Sequence, residues 1–257
     1  MEIGAFKKMR RFLITIFLSF MLSTCAVTHN HKHIANNSET NGTNTAPIEK
    51  LPRDSFMFVS VKEIYKFCFK DDGKSICIDI GVPKYSTGSG FVVANNKHGS
   101  LVITAEHVCS SNVSGVKMEF ILTDIDGVDY KAIVVAKDVK NDICMLKSKG
   151  LHRPLVSLSD VAPKPGDKLY NIAAPVGIFH VQMVPILEGR YNGVTKYDTS
   201  IYSIPAAPGS SGSMVLNENF EIVGMIHSLH VRFPIISLGP TYQSIKKFIK
   251  ENITKYN

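Results

Sequence analysis

Three short segments carry the side chains able to do chemistry. Val102-Ile103-Thr104-Ala105-Glu106-His107-Val108-Cys109 is an apolar strand that runs straight into a histidine, so the imidazole sits at a strand end and can face a cleft. Asn141-Asp142-Ile143-Cys144-Met145-Leu146-Lys147 brings Asp142 to the start of a buried apolar strand. A carboxylate there needs a partner, because an unpaired buried charge is costly, and a histidine ring N–H is a natural one. In Pro208-Gly209-Ser210-Ser211-Gly212-Ser213-Met214-Val215, Ser211 lies between glycines in a loop that leads into another apolar strand. Gly209 lets the backbone turn tightly, so that successive N–H groups point to one spot and can hold an oxyanion. Singly, each segment also reads plainly as a surface histidine, a turn-capping aspartate or a Gly/Ser turn. Jointly they supply a hydroxyl nucleophile (Ser211), a general base (His107) and a carboxylate to orient it (Asp142), the parts needed for acyl transfer. Asp138 is the alternative carboxylate, but Lys137 and Lys140 flank it and it reads as solvated.

The three segments together resemble the trypsin-like serine peptidases. Thr104–Cys109 is similar to their Thr-Ala-Ala-His-Cys segment, Asp142–Lys147 to Asp-Ile-Ala-Leu-Leu-Lys, and Gly209–Ser213 to Gly-Asp-Ser-Gly-Gly, or Gly-Asn-Ser-Gly-Gly in the HtrA-type branch. The chain order His, Asp, Ser matches the chymotrypsin-like arrangement and not the subtilisin or α/β-hydrolase orders. The spacings, 35 residues from His107 to Asp142 and 69 from Asp142 to Ser211, are compact as in bacterial members. Gly88-Ser89-Gly90-Phe91 resembles the strand upstream of the family's histidine. Pro165–Leu169 with Ala174-Pro175-Val176-Gly177 resembles an HtrA-type stretch, and Ile222–Ile226 resembles the strand lining the substrate cleft. The resemblance covers roughly residues 80–250. It implies two six-stranded antiparallel β-barrels with the active site in the crevice between them, an oxyanion hole from the N–H groups of Gly209 and Ser211, and no metal or cofactor. It also implies substrate contacts at Pro205, Ile226, His227, Ser228 and Leu229. Pro205 stands near the base of the P1 pocket and Leu229 replaces a small residue, which suggests a small or medium apolar P1.

Three departures from the family pattern bear on this. Ser210 replaces the aspartate that pairs with a newly cut N-terminus, so that activation route is not expected. Ser213 replaces a glycine, and its side chain is expected to crowd the nucleophile loop. No PDZ-like segment is expected after the last helix. A catalytically inactive relative that binds peptide or an envelope partner is the alternative reading, and an unrelated β-barrel adhesin is a more distant one.

The elements that must position these residues are mostly strands. From residue 55 on, apolar runs are short, rich in Val, Ile and Phe, and separated by Gly, Pro, Asn and Asp. The strands expected include Phe56–Val61, Ile76–Val82, Gly90–Ala94, Leu101–Thr104, Lys131–Ala136, Ile143–Leu146, Lys168–Ala173, Met183–Leu187, Ser200–Ile204, Ser213–Leu216 and Ile222–His227. Thr241–Tyr256 differs: Ile245, Phe248, Ile249 and Ile253 fall at helical spacing, with Lys246, Lys247 and Lys250 opposite, which predicts a C-terminal helix packed on the β body.

Residues 1–24 read as an export signal. Lys7-Lys8-Met9-Arg10-Arg11 precedes an apolar run from Phe12 to Leu22, too short to span a bilayer core of about 30 Å comfortably. Leu22-Ser23-Thr24-Cys25 resembles the lipobox of bacterial lipoproteins, with Thr24 where Gly, Ala or Ser is usual. Lipidation of Cys25, ordinary signal cleavage nearby and an uncleaved anchor stay open, and all three place the rest of the chain outside the cytosol. Residues 25–52 are polar and read as a tether, and 53–257 as the folded domain. His29, His31 and His33 in the tether could bind a transition metal weakly, though a solvated tether is the plainer reading. Cys68 and Cys77 flank Asp71-Asp72-Gly73-Lys74, a turn signal, so a hairpin would bring them together as a disulfide in an exported chain. Cys109 and Cys144 are either a second pair or small buried hydrophobes. The net charge of +7 sits partly in the first eleven residues, and no Lys/Arg stripe with interleaved aromatics argues for nucleic acid.

Overall fold

The computed structural model describes residues 48–72 and 74–256. Residues 1–47, with the expected export signal, Cys25 and most of the tether, lie outside the described residues. Six strands close a first barrel: β1 (Phe56–Asp71), β2 (Lys74–Asn96), β3 (Gly99–Thr104), β4 (Val116–Thr123), β5 (Asp129–Asp138) and β6 (Ile143–Lys149), in the order β1-β2-β3-β6-β5-β4. Seven more form an antiparallel sheet: β7 (Lys168–Ile172), β8 (Ile186–Val194), β9 (Thr199–Tyr202), β10 (Ser213–Leu216), β11 (Ile222–Ile226), β12 (Ser228–Leu229) and β13 (Ser237–Pro240). Its order is β11-β10-β7-β8-β9-β13-β12. The double-barrel all-β architecture is the expected one; the second sheet carries seven strands where six were expected.

Period-two patterning builds the first barrel. Along β1, Val59, Val61 and Glu63 are buried while Ser60 and Lys62 are partly open, so odd-numbered side chains face inward. β3 and most of β6 are buried along their length and pair directly, Thr104 opposite Cys144 and Ile103 opposite Met145. This pairing sets the ends of the two strands side by side. His107 follows one and Asp142 precedes the other.

One helix, α1 (Tyr242–Tyr256), ends the fold. Thr241 caps it, its Oγ1 accepting the Ser244 N–H at 3.2 Å. Its buried side, Ile245, Phe248 and Ile249, joins the core cluster that also holds Ile103, Met145, Met214 and Met225. The helix starts directly after β13 of the second sheet and ends on the first barrel. There Tyr256 Oη donates to the Val135 carbonyl at 2.6 Å, and its own carbonyl accepts from Asn96 Nδ2 at 2.7 Å. α1 thus straps the barrel that carries His107 and Asp142 to the sheet that carries Ser211.

Candidate active site

His107 sits on a 3₁₀ turn (Glu106–Val108) that ends β3. Asp142 precedes β6 with φ of 54°, a left-handed conformation that Asp tolerates better than most residues. Asp138, expected to be merely solvated, builds the turn that presents it. Its carboxylate accepts from the Asn141 N–H at 3.1 Å and from Asn141 Nδ2 at 2.7 Å. Cys109 and Cys144, each two residues past a site residue, are joined in a disulfide that staples the His turn to the Asp strand. Cys68 and Cys77 are also bonded, across the β1–β2 hairpin.

The structure brings His107, Asp142 and Ser211 together. His107 Nδ1 lies 2.8 Å from Asp142 Oδ2, and His107 Nε2 lies 2.9 Å from Ser211 Oγ. Asp142 Oδ1 accepts the backbone N–H of His107 at 2.9 Å, so both carboxylate oxygens are engaged by the same residue. The hydrogen bond to Asp142 raises the His107 pKa above its ordinary 6.5; burial opposes it, and the Asp142 and Glu106 charges add to it. Burial pushes Asp142 upward, but the hydrogen bonds from the His107 ring and backbone outweigh it and hold the carboxyl below its usual range.

Residues 88–225, more than half of the chain, match the family model for the trypsin-like peptidase domain. The chain belongs to that family. A probable periplasmic serine endoprotease, DegP-like, from Pseudomonas putida is 29% identical over 151 residues, 57% of this chain and 30% of the relative. A similarly described protein from Halomonas elongata is 25% identical over 199 residues, 73% of this chain and 40% of the relative. The chain spans about a third of the length of these curated relatives. Among solved structures, a serine endoprotease from Yersinia pestis superposes with a TM-score of 0.55 at 17% identity, covering 74% of this chain and 61% of the other. An HtrA-type protease with a decapeptide gives 0.61 at 14% identity, covering 80% and 66%. At these identities the structural likeness establishes the fold.

In this trypsin-like peptidase domain the loop that carries Ser211 is held by its carbonyls. Pro208 O accepts from Val176 N, Gly209 O from Ser89 Oγ at 2.8 Å, and Ser211 O from Ser89 N at 2.8 Å. Gly209 has a φ of 98° and packs against the Ala174 carbonyl with no room for a Cβ, so this position requires glycine. The N–H of Ser210 is used within the loop, by Ala207 O, and that of Gly212 by Ile226 O. Among the described residues, the N–H groups of Gly209 and Ser211 donate to no protein acceptor, the pattern an oxyanion hole needs. Ser210 Oγ accepts from Ala207 N at 3.2 Å, closing the turn. Ser213 does not crowd the loop as expected: it is buried, and its Oγ accepts from Asn171 Nδ2 at 2.9 Å, which draws it toward β7.

The expected substrate contacts divide. Ser228 and Leu229 form β12, the last strand of its sheet, paired with β13 on one edge only, so the other edge can take an extended chain. Ile226 is 1% exposed, and its side chain belongs to the core of the second sheet. Alternation along the strand turns Ile226 inward and His227 outward, so Ile226 does not line the cleft. Pro205 is exposed just past β9 and is not an enclosed pocket floor; the chain leaves the sheet there, and Ala206 N donates to Pro234 O of a neighbouring loop.

Two site residues were not legible beforehand in these roles. His227 Nδ1 lies 3.5 Å from Asp142 Oδ2, so two imidazoles flank one carboxylate oxygen, and the His227 carbonyl accepts from Ser211 Oγ at 3.2 Å. Burial lowers the His227 pKa, and His107 reinforces this against the pull of Asp142. Ser89 is fully buried and reaches across from the first barrel. Besides its bonds to Gly209 and Ser211, its Oγ accepts from Ala174 N at 3.0 Å, and its carbonyl accepts from Thr104 Oγ1 at 2.8 Å. Ser89→Ala leaves a buried carbonyl and a buried N–H without their partner, at a cost of about 1–3 kcal/mol each. The expected result is a melting temperature lowered by several degrees and a kcat reduced by at least tenfold with KM little changed. Thermal unfolding and steady-state kinetics on the same preparation check both.

Proposed function

We propose that the protein is an exported serine endopeptidase that hydrolyses peptide bonds through an acyl-enzyme intermediate. The hydrogen-bonded sequence Ser211 Oγ, His107 Nε2, His107 Nδ1 and Asp142 Oδ2 carries this reading. Ser211 Oγ attacks the scissile carbonyl while His107 Nε2 takes its proton. Asp142 fixes the tautomer and stabilises the imidazolium. The N–H groups of Gly209 and Ser211 hold the oxyanion. His107 then hands the proton to the leaving amine, and a water activated by the same imidazole releases the acyl group. The residues themselves supply nucleophile, base and oxyanion donors, so the chemistry calls for no metal or cofactor. The acyl side of the substrate lies along Ser228 and Leu229. The similar HtrA-type protease was solved with a decapeptide, which supports a peptide as the ligand here.

The periplasmic descriptions of the relatives support a place outside the cytosol in the cell envelope. Within that reading residues 1–24 are the export signal, Cys25 is the candidate lipid attachment site that would bring the protein to the membrane surface, 25–52 are the tether, and 53–257 are the peptidase domain. Internal cleavage of denatured casein by the wild type tests the activity; a folded preparation that leaves casein intact counts against it.

The pH dependence has a definite sign. His107 acts as a base only when neutral, and its pKa is raised, so kcat/KM should fall about tenfold per pH unit below a midpoint above 6.5. Stability moves the other way. The folded state holds this proton more tightly than the unfolded one, so that contribution is complete below 6.5 and is lost as pH rises through the raised value. A kcat/KM that stays flat down to pH 5 would contradict the base assignment.

A further inference from the structure

The β1–β2 hairpin runs well past the barrel, and its two faces differ in kind. Tyr65 pairs with Ile80, Phe67 with Ile78 and Phe69 with Ile76, so six large apolar side chains share one face. The opposite face carries the Lys66–Asp79 ion pair at 3.5 Å, the Cys68–Cys77 disulfide, and Lys70 beside Ser75. The apolar face is open to solvent, with Phe67 54% and Ile78 49% exposed. A contiguous apolar patch of this kind marks an interaction site.

Its position indicates the occupant. Glu63 and Tyr65 line a cleft of about 240 Å³ together with His107, Ser110 and Ser111. Tyr65 shares its face with Phe67 and Phe69, so the two phenylalanines continue the wall that Tyr65 begins. After attack, Ser211 keeps the acyl half of the substrate along β12, while His107 protonates the leaving amine. The leaving half therefore departs on the His107 side, where this cleft lies. From Tyr65 to Phe69 the ribbon extends it by about 13 Å, at roughly 3.3 Å per residue, the length of about four extended residues.

We infer that the apolar face of the hairpin is an extended docking surface for the leaving-group side of an unfolded polypeptide substrate bearing alternating apolar residues. It rests on the peptidase reading of His107, Asp142 and Ser211, and it adds a preference for segments whose apolar side chains alternate beyond the scissile bond. The occupant is an extended chain because the surface is a two-stranded ribbon contiguous with the catalytic cleft. The Cys68–Cys77 disulfide ties the two strands of the ribbon together and so limits the ordering cost of docking.

The test uses a site first identified by digesting denatured casein with the wild type. That site is synthesised as two peptides with the same acyl side. One ends two residues after the scissile bond; the other continues for eight, alternating Phe or Ile with Ser. The wild type is expected to cleave the long peptide with a kcat/KM about tenfold above the short one, from the apolar area buried on the ribbon. Phe67→Ser/Ile78→Ser should abolish that difference while keeping the short-peptide rate within about twofold, and Lys70→Ser on the other face should preserve it. An unchanged preference in the double variant overturns the proposal, as does an equal loss on both peptides. A wild-type dimer that the double variant converts to monomer also overturns it, because the ribbon is then a contact between copies. Cleavage of the short peptide reports the peptidase reading by itself, and failure to cleave either peptide overturns both.

Discussion

Ser211→Ala is expected to lower kcat/KM on a casein-derived peptide by about a million-fold, and His107→Ala by a similar factor, with the double variant no worse than either. The non-additivity follows from the geometry. With Ser211 Oγ 2.9 Å from His107 Nε2, the hydroxyl is a useful nucleophile only while the imidazole can take its proton, so removing either partner removes the same step. What survives is substrate binding and the two free N–H groups of Gly209 and Ser211. Ser211→Ala should bind peptide normally, since the hydroxyl meets His107 Nε2 and the His227 carbonyl while the loop itself is held by its backbone carbonyls. Steady-state kinetics over the three variants, with binding of a non-cleaved peptide measured on Ser211→Ala, checks the pattern. Losses that multiply in the double variant would contradict a single shared step.

Asp142→Asn is expected to cost about ten-thousand-fold in kcat with an unchanged fold. The direction comes from the two different bonds its oxygens make. Oδ1 accepts the His107 backbone N–H, so the amide oxygen of an asparagine would keep that place. The amide NH2 is then turned toward His107 Nδ1, where it must donate. The ring responds by placing its own proton on Nε2, the atom that has to receive the proton of Ser211. His227, on the same side of Asp142, would face that NH2 as well. A circular dichroism spectrum matching the wild type, with kcat down by several orders of magnitude, is the expected pair of results. A loss below a hundredfold would show that Asp142 does not set the tautomer.

The clustering of His107, Asp142 and Ser211 was legible because each sits where an apolar strand meets a polar turn, and such junctions are local features. Strand edges were less so. The expected Ile76–Val82 and Gly90–Ala94 are parts of one continuous β2, because the polar stretch Lys84–Thr87 between them pairs with β1 and only residues 81–83 lie unpaired at a register shift. β4 and β13 were not among the runs singled out; β13 is Ser-Leu-Gly-Pro, turn chemistry by composition, held as strand by its pairing with β9. Met183 stands only in an isolated bridge with His180, and β8 begins at Ile186, three residues later than expected. The helix differs from its expected bounds by one residue, because a 3.6-residue apolar period over four turns is a strong local signal.

The supports of the site were hidden for a different reason. Ser89 meets Gly209 across 120 residues of chain, and nothing local to Gly88-Ser89-Gly90 shows that its hydroxyl crosses between the two β units. His227 was expected on a substrate strand, and only the tertiary approach of its ring to Asp142, 85 residues earlier in the chain, gives it this second role. Ser213 was expected to crowd the loop from a motif comparison alone; its partner, Asn171, lies 42 residues away on β7.

The most direct test of the central claim is covalent labelling by a fluorophosphonate probe, read by intact mass and peptide mapping on the wild type, Ser211→Ala and Ser213→Ala. The account predicts a single adduct on Ser211 in the wild type and in Ser213→Ala, and none in Ser211→Ala. A folded wild type that takes up no probe above the pKa of His107, or a Ser211→Ala variant that still labels, would contradict it.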